Sequence, residues 1–196
     1  MSKIIYIDLE TSGLDHEVCA ITQLSAIYEK NNKEIDRIDL RMRPNPEHAV
    51  FRGALDTTKL SYNDIMGNPL SQYEGYLKLI KWFDGIVNKF NSDDKIFAVG
   101  YNIINFDAKF LRKFFEMHDN NYYNSYIYYP EIDVVPILAF YTMNSRNKTE
   151  NFKQMNTAKA LGIEVDETKA HEAMYDCVIL REIYRKLTTE RDNKWM

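Results

Sequence analysis

Residues 3–9, KIIYIDL, form an isoleucine-rich apolar run that continues into Glu10, Thr11, Ser12 and Gly13. A strand with one wet face would alternate apolar and polar residues. An unbroken run of this length reads as a strand buried on both faces, the kind found inside a helix-covered sheet. Two acids, Asp8 and Glu10, stand at its end. They are two residues apart, so on an extended chain both side chains leave the same face of the sheet.

Working outward, residues 18–29 (VCAITQLSAIYE) and 34–42 (EIDRIDLRM) read as two further strands joined by a turn at Lys30–Lys33, an antiparallel meander. The Pro44–Pro46 break and a polar loop come next, then a short helix from Ser61 to Met66, where Ser61 can cap with Asp64 three residues on. Tyr73, Leu77, Ile80, Phe83, Val87 and Phe90 recur at helical intervals, which predicts a long helix over 71–90. Residues 95–100 (KIFAVG) read as a strand and Asn105–His118 as a helix with Phe110, Leu111, Phe114 and Phe115 inward. Lys109, Arg112 and Lys113 then form a solvated outer stripe. The Asn- and Tyr-rich residues 119–129 read as a loop packed over the core. Asp133 caps a helix reaching Tyr141, and Pro136 sits harmlessly in its first turn. A polar loop over 144–151 precedes a helix from Phe152 to Leu161 that stops at Gly162. A last helix, Glu172–Leu187, lines up Ala173, Cys177, Leu180, Tyr184 and Leu187. Meander, helix, strand and helices predict an α/β fold, a mixed sheet of antiparallel meander plus parallel strands flanked by helices.

At 196 residues the chain supports one well-buried domain, expected over 1–189 with a short C-terminal tail at 190–196. Its net charge of −4 argues against a broad grip on duplex nucleic acid, yet leaves room for holding a strand end. Cys19 and Cys177 have no metal-binding or disulfide spacing, so a reducing interior is the default. The N-terminal apolar run is too short for a signal sequence and no segment approaches membrane-spanning length, so a cytoplasmic protein with no membrane partner is expected.

The chemistry rests on three distant segments: Asp8 and Glu10, Asp107 in GYNIINFD, and His171 with Asp176 in HEAMYD. Each has an ordinary reading. An acid at a strand end commonly begins a turn, Asp107 would favour a helix N-terminus through the dipole alone, and a lone histidine before a helix is most often a surface residue. His16, His48 and His118 are read that way. Carboxylates gathered from remote segments repel unless cations sit among them, which makes a pair of divalent metal ions the plausible reason to assemble them.

In this order the segments resemble the DEDDh exonucleases of the DnaQ-like superfamily, with their D-x-E, their Asp after Phe, and their H-x-x-x-x-D. The likeness runs from about Lys3 to Leu187, and GYNIINFD and KALGIEVDETKAHEAMYDC look most like exonuclease I and exonuclease X. Tyr101, where many relatives carry histidine, and one extra residue between Asn102 and Phe106 depart from the pattern. The resemblance implies a ribonuclease H-like fold and 3′-to-5′ hydrolysis of single-stranded DNA ends to nucleoside 5′-monophosphates. It implies two Mg²⁺ or Mn²⁺ ions held by Asp8, Glu10, Asp107 and Asp176, with His171 as general base. Thr11, Leu14, Asn102 and Phe106 would then meet the substrate, Leu14 as an apolar wedge between the terminal bases. RNA trimming by the same residues is the alternative. A non-catalytic nucleic-acid-binding module would be expected to lack one of the acids, and a small-molecule phosphatase would need a closed pocket over Asp8. Processivity would come from a protein partner or a homodimer.

Overall fold

In the computed structural model, residues 2–144 and 151–195 are described, with side chains as far as Thr189. Most of the polar loop expected at 144–151 therefore lies outside the described residues. Three strands, β1 (Lys3–Thr11), β2 (Ile21–Lys30) and β3 (Lys33–Arg41), form the meander. Two more, β4 (Phe97–Gly100) and β5 (Ile132–Asp133), add to β1 in parallel, giving the order β3-β2-β1-β4-β5. Mixed pairing and central placement of β1 bear out the α/β reading of residues 3–9. The second strand starts at Ile21 rather than residue 18, and Cys19 instead makes an isolated bridge to Ala49.

Two cores lie on opposite faces of the sheet. Ile5, Ile7 and Leu9 of β1 pack with α3 (Gln72–Ile86) and α4 (Asp107–Glu116), including Leu79, Phe83, Leu111 and Phe115. Tyr6 faces the other way, toward α6 (Val134–Tyr141) and α8 (Ala173–Trp195), where Leu138, Cys177, Leu180 and Ile183 close the second core. β2 is buried along almost its whole length, and its Glu29 is held by Arg185 and by the Tyr6 hydroxyl. At the sheet's free edge, by contrast, β3 exposes nearly every side chain.

Several expectations need correction. A short helix α1 (Arg52–Thr58) occupies part of the expected polar loop; it buries no residue fully, so it left no apolar period to read. The next helix, α2 (Tyr62–Met66), has the expected capping box, with Ser61 accepting from the Asp64 N–H and Asp64 from the Ser61 N–H. α3 stops at Ile86, where Val87 turns extended and the Lys3 ammonium takes the Ile86 carbonyl. Its buried stripe is Gln72, Tyr76, Leu79 and Phe83, while Tyr73, Leu77 and Phe90 are exposed. The Asn/Tyr-rich stretch contains a helical turn, α5 (Tyr123–Tyr126), whose Tyr123 and Tyr126 are buried as a packed loop requires. α4 and α7 (Gln154–Ala160) are one to two residues shorter at each end than expected. α8 runs on to Trp195. His118 is no free surface residue: it stacks on Tyr76 at 4.4 Å between ring centres. The basic stripe of α4 is partly paired, Arg112 with Glu131 and Lys113 with Glu17.

Candidate active site

Side-chain alternation along β1 continues the Tyr6 face into Asp8 and Glu10, delivering both toward the start of α8. There Asp176 lies one turn into the helix, and Cys177 beneath it donates to the carbonyl of Ser25, the β2 residue paired with Asp8. Asp107 arrives from a third direction. Parallel pairing of β1 with β4 ends at Tyr6–Val99, and beyond it the Leu9 N–H donates to Asp107 Oδ1 at 3.2 Å.

The turn that carries Asp107 is built from close contacts. A side chain on Gly100 would put its Cβ 2.5 Å from that of Ile103, so the chain can fold back here because no Cβ is present. Asn102 takes a left-handed conformation, φ 64°. Asp133 then gathers the turn: its carboxylate accepts from the N–H groups of Asn102 and Ile104 as well as capping α6 through Val135. Sequence reasoning found the cap and missed the other two bonds, since they cross between remote segments. Tyr101, the departure from the resembled pattern, hydrogen-bonds the Phe152 carbonyl at 2.6 Å and Thr157 Oγ1 at 2.7 Å, tying α7 to the site.

His171 also adopts a left-handed backbone, φ 67°, and its N–H donates to Asp176 Oδ2 at 3.2 Å. Ligand atoms of Glu10, His171 and Asp176 lie within 4.8 Å of one another. The charges of Asp107, Asp176 and Glu10 all bear on Asp8. The five residues singled out in three segments thus meet at one place.

Electrostatics mark the cost of that meeting. Asp8 keeps a narrow exposed face but is otherwise enclosed, and desolvation followed by the three neighbouring acids pushes its carboxyl well above the usual range. Desolvation, then Asp176 and Asp107, raise Glu10 to about 8. Desolvation also raises Asp107 to about 7 and Asp176 to about 6, each against hydrogen bonds that pull the other way. Asp176 Oδ1 is buried with no hydrogen-bond partner among the described residues. Four crowded carboxylates, one with an orphaned oxygen, form the hard oxygen donor set that suits a divalent cation. His171 is lowered, first by burial and then by the charges of Lys59 and Lys153.

These groups line an open cleft of about 870 Å³, with Asn102 and Phe106 on its wall. Beside it lies an apolar hollow of about 670 Å³ formed by Leu14, Phe51, Ala54, Phe106 and the β1 end. Of the residues expected to meet substrate, Asn102 and Phe106 border the cleft, and Leu14 projects at 85% exposure over the hollow. Thr11 borders the hollow too, but it is buried and its hydroxyl donates to the Gly13 carbonyl, so that group serves the turn. Phe51 and Lys59 went unnoticed because they flank a helix with no sequence signature. No helix among the described residues is long and apolar enough to cross a membrane.

Comparison with known proteins gives the family and the fold. The exonuclease family model, RNase_T, matches residues 5–184. The PolC-type DNA polymerase III of Mycoplasma genitalium is 24% identical over 190 residues, covering 93% of this chain but 11% of that protein. Its counterpart in Mycoplasma pneumoniae is 24% identical over 184 residues, with the same coverage of each chain. Among solved structures, E. coli exonuclease I in a zinc-bound complex with single-stranded DNA superposes with a TM-score of 0.78 at 19% identity, covering 99% of this chain and 42% of that one. Exonuclease I in complex with a dT13 oligonucleotide gives the same values. The chain thus spans about a tenth of its polymerase relatives and about two fifths of exonuclease I, and at these identities the structural likeness is one of fold.

Proposed function

The chain belongs to the RNase_T exonuclease family, and from that premise we propose a metal-dependent 3′-to-5′ exonuclease that releases nucleoside 5′-monophosphates from single-stranded DNA ends. The observation that carries this reading is the meeting of Glu10, His171 and Asp176 within 4.8 Å, beside Asp8 and Asp107, at the floor of an open cleft. A cleft of that shape suits the end of a polymer better than a small phosphate ester, which would be enclosed.

Asp8, Glu10, Asp107 and Asp176 would hold two divalent cations, Mg²⁺ or Mn²⁺. When bound, such ions make an attacking water nucleophilic near neutral pH and offset charge on the leaving 3′ oxygen. His171 takes the proton from that water. Burial and two lysines keep its imidazole neutral, hence able to accept, at physiological pH. The Leu9 N–H and the Asp133-bound turn fix Asp107 in place. Leu14, Phe51 and Phe106 offer apolar surface on which unstacked terminal bases rest. Two buried, unpaired thiols, Cys19 and Cys177, fit work in the cytoplasm.

Support for DNA comes from the relatives, polymerases that act on DNA and an exonuclease I bound to single-stranded DNA. The test is incubation with 5′-labelled single-stranded DNA and RNA in Mg²⁺, Mn²⁺ or EDTA. DNA shortened stepwise from its 3′ end, with no reaction in EDTA, is expected. Cleavage that persists in EDTA, or mononucleotide released first from the labelled 5′ end, would sink the reading. Faster loss of RNA would reassign the substrate and keep the chemistry.

A further inference from the structure

Lys59 and Lys153 stand out on the wall of the cleft. Among the described residues lining it they are the two cations, in a chain whose net charge is −4. They come from different places: Lys59 ends α1, and Lys153 precedes α7. Neither side chain has a hydrogen bond or ion pair among the described residues, whereas Lys3, Lys89, Lys113 and Lys159 all sit against acids. Both line the same cleft as His171, and both charges bear on its imidazole.

Lys59 carries a further mark. Its backbone is left-handed, φ 58°, a conformation that glycine adopts freely and a lysine adopts only at a cost in stability. A glycine there would complete α1 with less strain, so what the strained position gains is the long cationic side chain at the cleft.

We propose that Lys59 and Lys153 form a two-sided clamp on consecutive phosphates of the bound strand, holding the 3′ end over the acidic floor. The proposal rests on the exonuclease reading and deepens it. A cation from each of two separate segments lining the cleft attracts the strand's phosphates without occupying the carboxylate floor. Lysine is well matched to this role, because a flexible point charge contacts any backbone phosphate without reading sequence.

The experiment compares Lys59→Gln, Lys153→Gln and the double variant with wild type, using a fluorescent single-stranded oligothymidylate. Binding is measured in EDTA over a range of salt concentrations, and steady-state cleavage in Mg²⁺. Each single change should raise KM roughly tenfold, the scale of one lost charge-assisted hydrogen bond, with the loss falling on KM rather than kcat. The salt dependence of binding should flatten by about 0.7 per lysine in the log–log slope. Arginine at either position should restore both. Lys59→Gly is the decisive variant: it should melt at or above the wild-type temperature while binding as poorly as Lys59→Gln. An unaltered salt slope, or a loss confined to kcat with a displaced pH profile, would overturn the clamp and leave the lysines acting on His171. If wild type cleaves no nucleic acid in Mg²⁺ or Mn²⁺, the exonuclease reading falls instead.

Discussion

Asp8 is the residue on which the site's energetics turn. Its carboxyl and that of Glu10 are raised in the folded protein, so between the unfolded value near 4 and the folded value, about 8 for Glu10, the native state binds more protons than the unfolded chain. Stability contributed by the protonated forms is complete below pH 4 and drains away as pH rises toward 8. In EDTA the melting temperature should therefore fall steadily between pH 5 and pH 8, and Asp8→Asn should flatten that fall while abolishing cleavage. A metal-free melting curve that improves with pH over this window would contradict the crowding of these acids. His171→Ala should lower kcat by about 10²–10⁴-fold, the range for a lost general base, with little effect on melting because the side chain is only partly covered. Cleavage by this variant at near wild-type rate would remove His171 from the chemistry.

At the level of elements, the turn between β4 and α4 decides whether Asp107 is in place. Asp133→Ala would leave N–H groups of Asn102, Ile104 and Val135 without their acceptor, at a cost of about 1–3 kcal/mol, and should cut kcat by releasing Asp107. Chemical denaturation and single-turnover cleavage report the two effects separately, and a destabilised variant with full activity would show that the turn does not position Asp107. Asp133 also shows what the sequence discloses and what it withholds. Its cap was legible because a cap is a local bond, two residues along the chain. Its grip on Asn102 spans 31 residues and leaves no spacing to read. The same holds elsewhere: β1 declared itself through an unbroken apolar run and α4 through Phe110, Leu111, Phe114 and Phe115. α1 buries no residue and stayed invisible, along with Phe51 and Lys59 at its two ends. In α3 the apolar residues Tyr73 and Leu77 suggested one face, but the buried one includes Gln72, whose amide reaches carbonyls of Ile21 and Arg43.

For the whole molecule, the acids at the sheet's end are a source of instability that cations would relieve. Mg²⁺ or Mn²⁺ at a hundred times its dissociation constant should stabilise the native state by about 2.7 kcal/mol, raising the melting temperature by roughly 5–10 °C, and more at pH 8 than at pH 5. Calorimetry with and without EDTA checks this, and no rise with either ion would deny the site its metals. The opposite rim of the sheet answers a different demand. Among the described residues β3 has no neighbouring strand along one long side of its backbone, an invitation for other chains to stack into fibrils. Along it run Lys33, Glu34, Asp36, Arg37, Asp39 and Arg41, and a newcomer would have to strip water from that whole row of charge. Polymerisation through this rim is thereby discouraged, so concentrating the protein should not knit its chains together edge to edge.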